Sequence, residues 1–262
     1  MTAQSDSESA ATASAATPVA LVIGASSAIA QALIKQLLDK GQRRVIAVSR
    51  SARAGSDALQ AAGGQLDWLE SDYSEKSISG ICDWLKELPE QGEEIDRIYI
   101  LNGILHTPDI TPEKRLEDIT TDTLLQVFQI NAINAVLWLQ ALKPLLRGKR
   151  DRVITVMSAR VGSIDDNERG GWYAYRASKA ALNMLFKTAA IEYRRTAKQT
   201  RFLAFHPGTT DTPLSQPFQK SVPPDKLFSP EFVAERLLGL TDALPGSDLV
   251  QFLDWDGEAV AW

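Results

Sequence analysis

The chain has 262 residues, of which 44% are hydrophobic and 23% are charged, so one large α/β domain is expected and a disordered or fibrous protein is excluded. The formal net charge is −5, which leaves no broad positive field to attract nucleic acid. The lone Cys82 cannot form an internal disulfide, and with two histidines it leaves little for a metal site. We therefore expect a cytoplasmic protein without a metal, without nucleic acid as a partner and, since no apolar run approaches about 20 residues, without a membrane span.

Residues 1–17 differ in composition from the rest of the chain. They are mostly Ser, Ala and Thr, with acidic residues but no basic one. A secretory signal needs a basic start and an apolar stretch, and neither is present. The composition predicts a disordered tail, followed by a single domain over residues 18–262. A docking arm for a neighbouring subunit is the alternative, although no residue pattern supports it.

Strand and helix patterns alternate from Pro18 onward. Continuous apolar runs predict buried strands at 19–23, 44–48, 65–70, 95–101, 152–157 and 201–205, with a last strand ending near 253. Helical spacing predicts helices at 28–38, 74–88, 122–146 and 173–195, and one from about 229. This alternation predicts an α/β fold, a single-domain doubly wound parallel sheet of the Rossmann type with helices on both faces.

The helix predicted at 122–146 is apolar around most of its circumference. Such a helix is buried on more than one side. One side would meet the sheet and the other a second subunit, so a homo-oligomer is expected. Burial beneath this chain's own loops is the alternative.

The turn between the first predicted strand and the first helix has features of a phosphate-binding site. It reads Gly24-Ala25-Ser26-Ser27-Ala28-Ile29-Ala30. Free amides and the helix dipole favour a pyrophosphate there, and Gly24 can make the tight turn. Positions 28 and 30, often glycine in such turns, are alanine; the methyl group at 28 limits the approach of the phosphates, and the one at 30 is expected to push the helix away from the strand. An alanine-rich helix start also occurs in sheets that bind no nucleotide.

The end of the second strand indicates which dinucleotide would bind. An acidic residue is expected there if the ligand is NAD, because it would bind the ribose. The strand instead ends at Ser49 and Arg50, with Arg53 close by. A guanidinium can pair with a 2′-phosphate through two parallel hydrogen bonds, so the sequence favours NADP over NAD. The alternative is that Arg50 is a solvated loop charge.

Four polar residues form a candidate catalytic set. Tyr175 and Lys179 are four residues apart near the start of a predicted helix, so their side chains share one face. Ser158 follows a predicted strand, at the carboxyl edge where such sheets bind ligands. Asn131 lies within the long apolar helix, where an amide without a partner is costly.

These residues and the nucleotide turn resemble the short-chain dehydrogenase/reductase family over roughly residues 18–255. The stretch ARVGSIDDNERGGWYAYRASKAALNML and the ending LDWDGEAVAW are similar to the C-factor (cell-to-cell signalling factor) branch. The resemblance implies a carbonyl reductase or alcohol dehydrogenase, active as a homodimer or homotetramer on a small-molecule carbonyl or alcohol substrate. The alternative is a nucleotide-binding signalling or redox-sensing protein on the same fold.

The resemblance also implies roles for individual residues. Tyr175 would be the general acid and base, and Lys179 would lower its pKa and bind the nicotinamide ribose. Ser158 would donate to the substrate oxygen, and Asn131 would hold a water that links Lys179 to solvent. The residues implied to bind the cofactor are Gly24, Ser26, Ser27, Ala28, Ile29, Ser49, Arg50, Asp72, Asn102, Gly103, Lys179, Pro207, Gly208 and Thr212.

Two loops are expected to surround the substrate. The loop at 161–171 lengthens the separation of Ser158 from Tyr175 to 17 residues, and the Pro-rich segment 209–228 is typical of a mobile lid. Trp172 and Ile164 are candidate pocket residues. His106 and His206 are expected to be structural or surface groups.

Overall fold

A computed structural model describes residues 16–51, 59, 65–246 and 249–262. Its strands are β1 (Thr17–Ile23), β2 (Arg44–Ser49), β3 (Leu66–Glu70), β4 (Glu93–Ile100), β5 (Arg152–Met157), β6 (Thr200–His206), β7 (Thr209–Thr210), β8 (Leu227–Phe228) and β9 (Val250–Asp254). Its longer helices are α1 (Ala28–Lys40), α2 (Glu75–Leu85), α3 (Thr121–Leu142), α4 (Tyr173–Tyr193) and α5 (Pro230–Ala243). The predicted alternation of strands and helices is confirmed. Of the predicted tail, residues 1–15 lie outside the described residues, and Thr17 already opens β1.

The sheet confirms the predicted doubly wound α/β fold. Among the described residues, seven strands pair in the order β3-β2-β1-β4-β5-β6-β9, and each pair is parallel. The strand order reverses direction between β1 and β4, which opens a crevice at the carboxyl edge of the sheet. Ile23 is in register with Val48 on one side and with Ile100 on the other, so the loops that follow these three strands meet at that crevice.

Helices cover both faces of the sheet. The side of α2, α3 and α4 buries Ile78, Trp138 and Phe186, while the side of α1 and α5 buries Leu33 and Leu237. Each residue of β1 from Val19 to Ile23 has no exposed surface, as its continuous apolar run predicts.

Helix α3 carries a local irregularity. A π-helical turn at Gln129–Ile133 separates the α-helical parts Thr121–Phe128 and Asn134–Leu142, and the helix ends four residues before the predicted 146. Such a turn rotates the residues that follow it and often occurs at functional sites.

The outer side of α3 is partly uncovered. By length and composition, α3 is the one helix in the described part of the chain that could cross a membrane, a test that the core helices of globular proteins also pass. Its Trp138 is completely buried, whereas Leu125 is 65% exposed. The predicted burial on more than one side is therefore incomplete within a single chain.

Candidate active site

The carboxyl edge brings together segments that are far apart in sequence. The N–H of Leu101, after β4, donates to the carbonyl of Ile23 at the end of β1 (2.8 Å). The N–H of Ser158, after β5, donates in the same way to Phe205 near the end of β6 (2.8 Å). These bonds extend the parallel pairing past the strands, so the predicted site residues that follow β1, β4, β5 and β6 lie side by side.

Gly24 makes the tight turn that its sequence position predicts. Its φ is +83°, and a Cβ there would lie 2.6 Å from the backbone nitrogen of Asn102. Only glycine combines that φ with such a close approach. The side-chain nitrogen of Asn102 donates to the carbonyl of Ile130 (3.1 Å), while its buried Oδ1 has no hydrogen-bond partner among the residues the structure describes.

The start of α1 can accept an anion. Ser27 is the N-cap, and its hydroxyl oxygen accepts the N–H of Ala30 (3.3 Å), which leaves the hydroxyl proton free to donate. Ala28 and Ile29 open the helix, where amides lack intrahelical partners. The methyl group of Ala30 is fully buried, so it packs into the core. The methyl group of Ala28 remains half-exposed.

The residues after β2 and β3 differ in how many of their side-chain polar atoms already have a partner inside the protein. Arg50 is exposed and forms no ion pair within the described residues. The Ser49 hydroxyl donates to the Ser51 carbonyl (2.7 Å) and accepts the indole N–H of Trp68 (2.9 Å), so it already has partners inside the protein. The carboxylate of Asp72 accepts an N–H two residues onward (2.8 Å), and hydrogen bonding there lowers its pKa. Arg53 lies outside the described residues.

Tyr175 and Lys179 share one face of α4, as their spacing predicts. The Lys179 nitrogen lies 5.8 Å from the centroid of the Tyr175 ring and donates to the carbonyl of Met157 (2.7 Å). Burial raises the pKa of Tyr175 to about 12 and lowers the pKa of Lys179 to about 8. The predicted lowering of the Tyr175 pKa is therefore not seen in this structure, where desolvation dominates and disfavours the charged form of both groups.

Asn131 lies in the π-helical turn and is fixed by the backbone of a neighbouring loop. Its Oδ1 accepts the N–H of Ile104 (2.7 Å), and its Nδ2 donates to the carbonyl of Ile104 (2.9 Å) and to the hydroxyl of Ser178 (3.0 Å). A Cβ at Gly103 would lie 3.3 Å from the Lys179 nitrogen and 3.4 Å from Asn131 Oδ1. The structure thus brings Gly103, Asn131 and Lys179 to one place.

Ser158 has a buried partner that sequence reasoning missed. Its hydroxyl donates to the side-chain oxygen of Asn183 (2.6 Å), and both residues are almost completely buried. The Asn183 nitrogen contacts the carbonyl of Gly162 (3.4 Å), which fixes the orientation of the amide. A serine hydroxyl has one proton, so in this structure Ser158 donates into the protein. The signal was available, since Asn183 lies one helical turn after Lys179 on the same face.

Aromatic side chains from three loops meet beside Tyr175. The Trp172 ring stands edge-on to Tyr175 (6.3 Å between centroids) and to Phe218 (5.0 Å). His106 stacks edge-on against Phe218 (5.8 Å), and its Nε2 lies 3.1 Å from the Pro213 carbonyl. The predicted segment 209–228 therefore contributes Phe218 to one wall, and Trp172, which directly follows the predicted loop at 161–171, stands at its centre. The other candidate pocket residue, Ile164, is 76% exposed.

The segment after β6 completes the crevice. Pro207 and Gly208 follow the strand, and a Cβ at Gly208 would lie 2.7 Å from the Phe228 ring. The Thr212 hydroxyl donates to a backbone carbonyl two residues earlier (3.4 Å). Burial lowers the pKa of His206 to about 4, so its imidazole is neutral near pH 7, and its buried Nδ1 has no partner in the described chain.

Comparisons with known proteins agree with this fold. The family model for short chain dehydrogenases matches residues 18–222. A 1-hydroxy-2-glutathionyl-2-methyl-3-butene dehydrogenase of Rhodococcus sp. (strain AD45) is 27% identical over 92% of this chain and 98% of its own length. The C-signal protein of Myxococcus xanthus is 31% identical over 56% of this chain and 83% of its own.

Two solved structures extend the comparison. A short-chain dehydrogenase/reductase from Burkholderia multivorans with bound NADP is 25% identical, with a TM-score of 0.77 over 94% of this chain and 100% of that one. A carbonyl reductase from Pseudomonas aeruginosa PAO1 is 26% identical, with a TM-score of 0.74 over 93% of this chain and 99% of that one.

Proposed function

The chain belongs to the short chain dehydrogenase family, and on that premise we propose that it transfers a hydride between NADP(H) and a carbonyl or alcohol substrate, with Tyr175 as general acid and base. The observation that carries the proposal is the pairing of partly buried Tyr175 with buried Lys179 on one face of α4, beside the crevice where Gly24 and Gly103 let the backbone approach closely. The proposed catalytic set is Asn131, Ser158, Tyr175 and Lys179.

The residues at the crevice fit a dinucleotide. Gly24 makes the tight turn before α1 at a position where any Cβ would collide with the Asn102 backbone, the orphaned Oδ1 of Asn102 offers an acceptor, and α1 opens with free amides. Exposed Arg50 is the group for a 2′-phosphate, and the B. multivorans neighbour is a structure with bound NADP, so we propose NADP in preference to NAD. The residues proposed to hold it are Gly24, Ser26, Ser27, Ala28 and Ile29 for the phosphates, Ser49, Arg50 and Asp72 for the adenosine end, and Asn102, Gly103, Lys179, Pro207, Gly208 and Thr212 for the nicotinamide end.

The proposed chemistry gives each side chain of the catalytic set one role. The bound dinucleotide supplies or takes up the hydride at the carbon of the substrate. In reduction the substrate oxygen gains negative charge and needs a proton, which Tyr175 holds as a phenol because its pKa is about 12. The Lys179 ammonium lies near enough to stabilise the phenolate that remains. Ser158 orients the substrate oxygen, and Asn131 holds a water that links Lys179 to solvent.

We further propose a homodimer or homotetramer in the cytoplasm, acting on a small-molecule substrate, with neither nucleic acid nor a membrane as partner. Exposed apolar side chains support the assembly, because Leu125, Met184 and Ile191 are each more than half exposed on α3 and α4. The lone buried thiol of Cys82 supports the reducing compartment.

A nucleotide-binding signalling or redox-sensing protein is the second candidate. Its support is the similarity to the C-signal protein and the alanines at positions 28 and 30 of the phosphate-binding turn, which are often glycine in such turns. The two candidates differ in turnover, since a sensor needs the nucleotide but no reactive phenol.

Cofactor binding and turnover separate these candidates. Fluorescence titration with NADPH and NADH is expected to show tighter binding of NADPH. A panel of carbonyl compounds should then give NADPH oxidation by the wild type. Binding of NADPH without oxidation across the panel contradicts the dehydrogenase and favours the sensor.

Tyr175→Phe tests the acid directly. The substitution removes one oxygen, so NADPH affinity is expected to stay within about twofold while kcat falls about 10³-fold, the scale of general acid catalysis. The expected contrast is measured by titration and initial rates on the same preparation. A variant that turns over like the wild type removes Tyr175 from its proposed role.

A further inference from the structure

The helix that carries Tyr175 begins in an unusual way. Three successive residues before α4 are left-handed, with φ of 63° at Gly170, 66° at Gly171 and 52° at Trp172. Trp172 has a side chain and still adopts this conformation, and the side chain of this N-cap residue accepts no hydrogen bond from the first turn. A non-glycine residue is held at such a φ only where its surroundings fix it.

One distant residue supplies what the helix start lacks. The carbonyl of Glu113 accepts the N–H of Trp172 (2.6 Å), and its carboxylate Oε2 accepts the N–H of Ala174 (3.2 Å). Glu113 lies in the segment between β4 and α3, and only 3% of it is exposed. The same backbone carbonyl lies 3.5 Å from where a Cβ would stand on Gly171, so the two segments are in contact.

The Glu113 carboxylate serves the helix and nothing else in the described chain. Its second oxygen, Oε1, is buried without a hydrogen-bond partner among those residues. Burial of a half-satisfied carboxylate is unfavourable, and the helix N-terminus is the place where backbone dipoles offset part of that cost.

We propose that Glu113 is a positioning residue for Tyr175 and acts as a cap for the first turn of α4 from a distant segment of the same chain. The inference rests on the proposed role of Tyr175. Because Ala174 directly precedes Tyr175, the bond to Glu113 sets the place of the phenol along the crevice. The bond to Trp172 sets the ring that stands against the phenol. A displacement of about 1 Å at a reacting group costs up to about 10²-fold in rate.

Three substitutions of Glu113 distinguish the effect of its side-chain length from the effect of its charge. Glu113→Gln keeps a side-chain oxygen at the same distance, so kcat should stay within about threefold of the wild type. Glu113→Asp keeps the charge but is one methylene too short, and Glu113→Ala removes the acceptor. Both should lower kcat at least tenfold, with NADPH affinity unchanged, because the phosphate-binding turn lies elsewhere.

The matched control removes a cap of the same kind from another helix. The hydroxyl of Thr120 accepts the N–H of Thr123 at the start of α3 (3.2 Å), and Thr120 is exposed. Thr120→Ala should lower Tm and leave kcat unchanged. A loss of kcat equal to that of Glu113→Ala would reduce Glu113 to an ordinary stabilising contact.

Hydrogen exchange gives a readout that needs no substrate. In Glu113→Ala and Glu113→Asp, amides in a peptide spanning residues 170–176 should exchange at least tenfold faster than in the wild type, and in Glu113→Gln at about the wild-type rate. Unchanged exchange in the Ala and Asp variants overturns the cap. If Glu113→Ala does not fold, the Gln and Asp variants still test the cap. The cap predicts faster exchange in Glu113→Asp than in Glu113→Gln, whereas a requirement for charge alone predicts faster exchange in Glu113→Gln. A wild type inert towards all carbonyl compounds overturns the proposed function, and the exchange pattern then decides the cap by itself.

Discussion

The two edges of the sheet differ in whether their charged and polar side chains have a partner of opposite charge. At the amino edge, charged side chains are paired across neighbouring strands and loops. These pairs are Arg43–Asp96, Arg44–Asp67, Arg44–Glu93, Arg97–Asp242, Arg150–Glu94 and Arg201–Asp151. Arg152, buried there as well, donates to the backbone carbonyls of Ile95 and Leu146.

At the carboxyl edge, most polar groups lack an opposite charge. Lys179 is 2% exposed and, within the described part of the chain, donates to one neutral carbonyl, while burial disfavours the anion of Tyr175. Asn102 and His206 each keep a buried atom without a partner in the described chain. Two exceptions lie at the end of β9, where Arg160 pairs with Asp254 (2.9 Å) and Arg236 pairs with Asp256 (2.9 Å).

The difference separates stability from function in this molecule. Paired charges at the amino edge lower the free energy of the folded state relative to their unpaired state. Desolvated and unpartnered groups at the carboxyl edge raise it, and such groups concentrate where ligands bind. Substitutions at the first edge should therefore change stability, and substitutions at the second should change rate.

Asp96→Ala is expected to have the largest effect and to act on stability alone. Asp96 accepts from Arg43 (2.9 Å) and from Arg97 (3.3 Å), and the Arg43 and Asp96 side chains are 14% and 10% exposed. Removing it leaves two guanidinium groups without their shared partner, so the free energy of unfolding should fall by about 3–5 kcal/mol. Urea unfolding measures the loss, and kcat per folded molecule should be unchanged.

The matched control for this prediction is an exposed pair. Asp39 bonds Lys35 one turn away on α1 (2.9 Å), and both side chains are about half exposed or more. Asp39→Ala should change the free energy of unfolding by less than about 0.5 kcal/mol. Equal losses in the two variants would break the comparison, because burial of the amino-edge charges would then be irrelevant.

Lys179→Met tests the opposite edge through pH. With its pKa lowered to about 8, Lys179 is an ammonium below that pH and neutral above it, so the rate of reduction should fall as pH rises through about 8. Methionine carries no charge at any pH. The variant should reduce its substrate about 10²-fold more slowly than the wild type below pH 8, and its rate should show no fall as pH rises through 8. An unchanged fall in the variant would assign that titration to another group.

The same group has a predicted effect on stability, and its sign follows from proton binding. The folded-state pKa of Lys179 lies below the ordinary value of 10.5, so between about pH 8 and 10.5 the unfolded chain binds more protons than the folded chain. Stability from this group therefore rises with pH across that window. In Lys179→Met this contribution should be absent, and stability near pH 7 should not fall. A large loss of stability in the variant would contradict the separation of the two edges.

Much of the fold could be predicted because it depends on local patterns. The apolar run of β1 and the four-residue spacing of Tyr175 and Lys179 are visible in the sequence and need no knowledge of distant contacts. Gly24 was predictable for the same reason, since a strand followed by a glycine and a helix defines its turn.

The remaining features depend on packing between distant segments. Glu113 reaches α4 across 61 residues of sequence, and no periodicity connects the two. The π-helical turn of α3 adds a local irregularity that leaves the apolar pattern almost unchanged. The direction of the Tyr175 pKa depends on burial, so the spacing that found Tyr175 and Lys179 could not determine which effect dominates.

Asn183→Ala is expected to have the smallest effect. It tests the contrast between the edges at a place where two polar groups of the carboxyl edge are hydrogen-bonded to each other. Asn183 takes the single proton of Ser158 (2.6 Å) and so fixes the rotation of that hydroxyl. Loss of one such hydrogen bond is worth about 1–1.5 kcal/mol, and kcat should therefore fall about tenfold. The loss of stability should stay well below that of Asp96→Ala.

A double-mutant cycle with Ser158→Ala assigns this effect to its cause. If Asn183 acts through the Ser158 hydroxyl, adding Asn183→Ala to Ser158→Ala should lower kcat no further, because the group it orients is already gone. Losses that multiply would place the action of Asn183 elsewhere, for example on the Gly162 carbonyl that its nitrogen contacts. A non-additive result would extend the catalytic face of α4 by one turn, from Tyr175 through Lys179 to Asn183, and would show that hydrogen bonds at the carboxyl edge serve orientation more than stability.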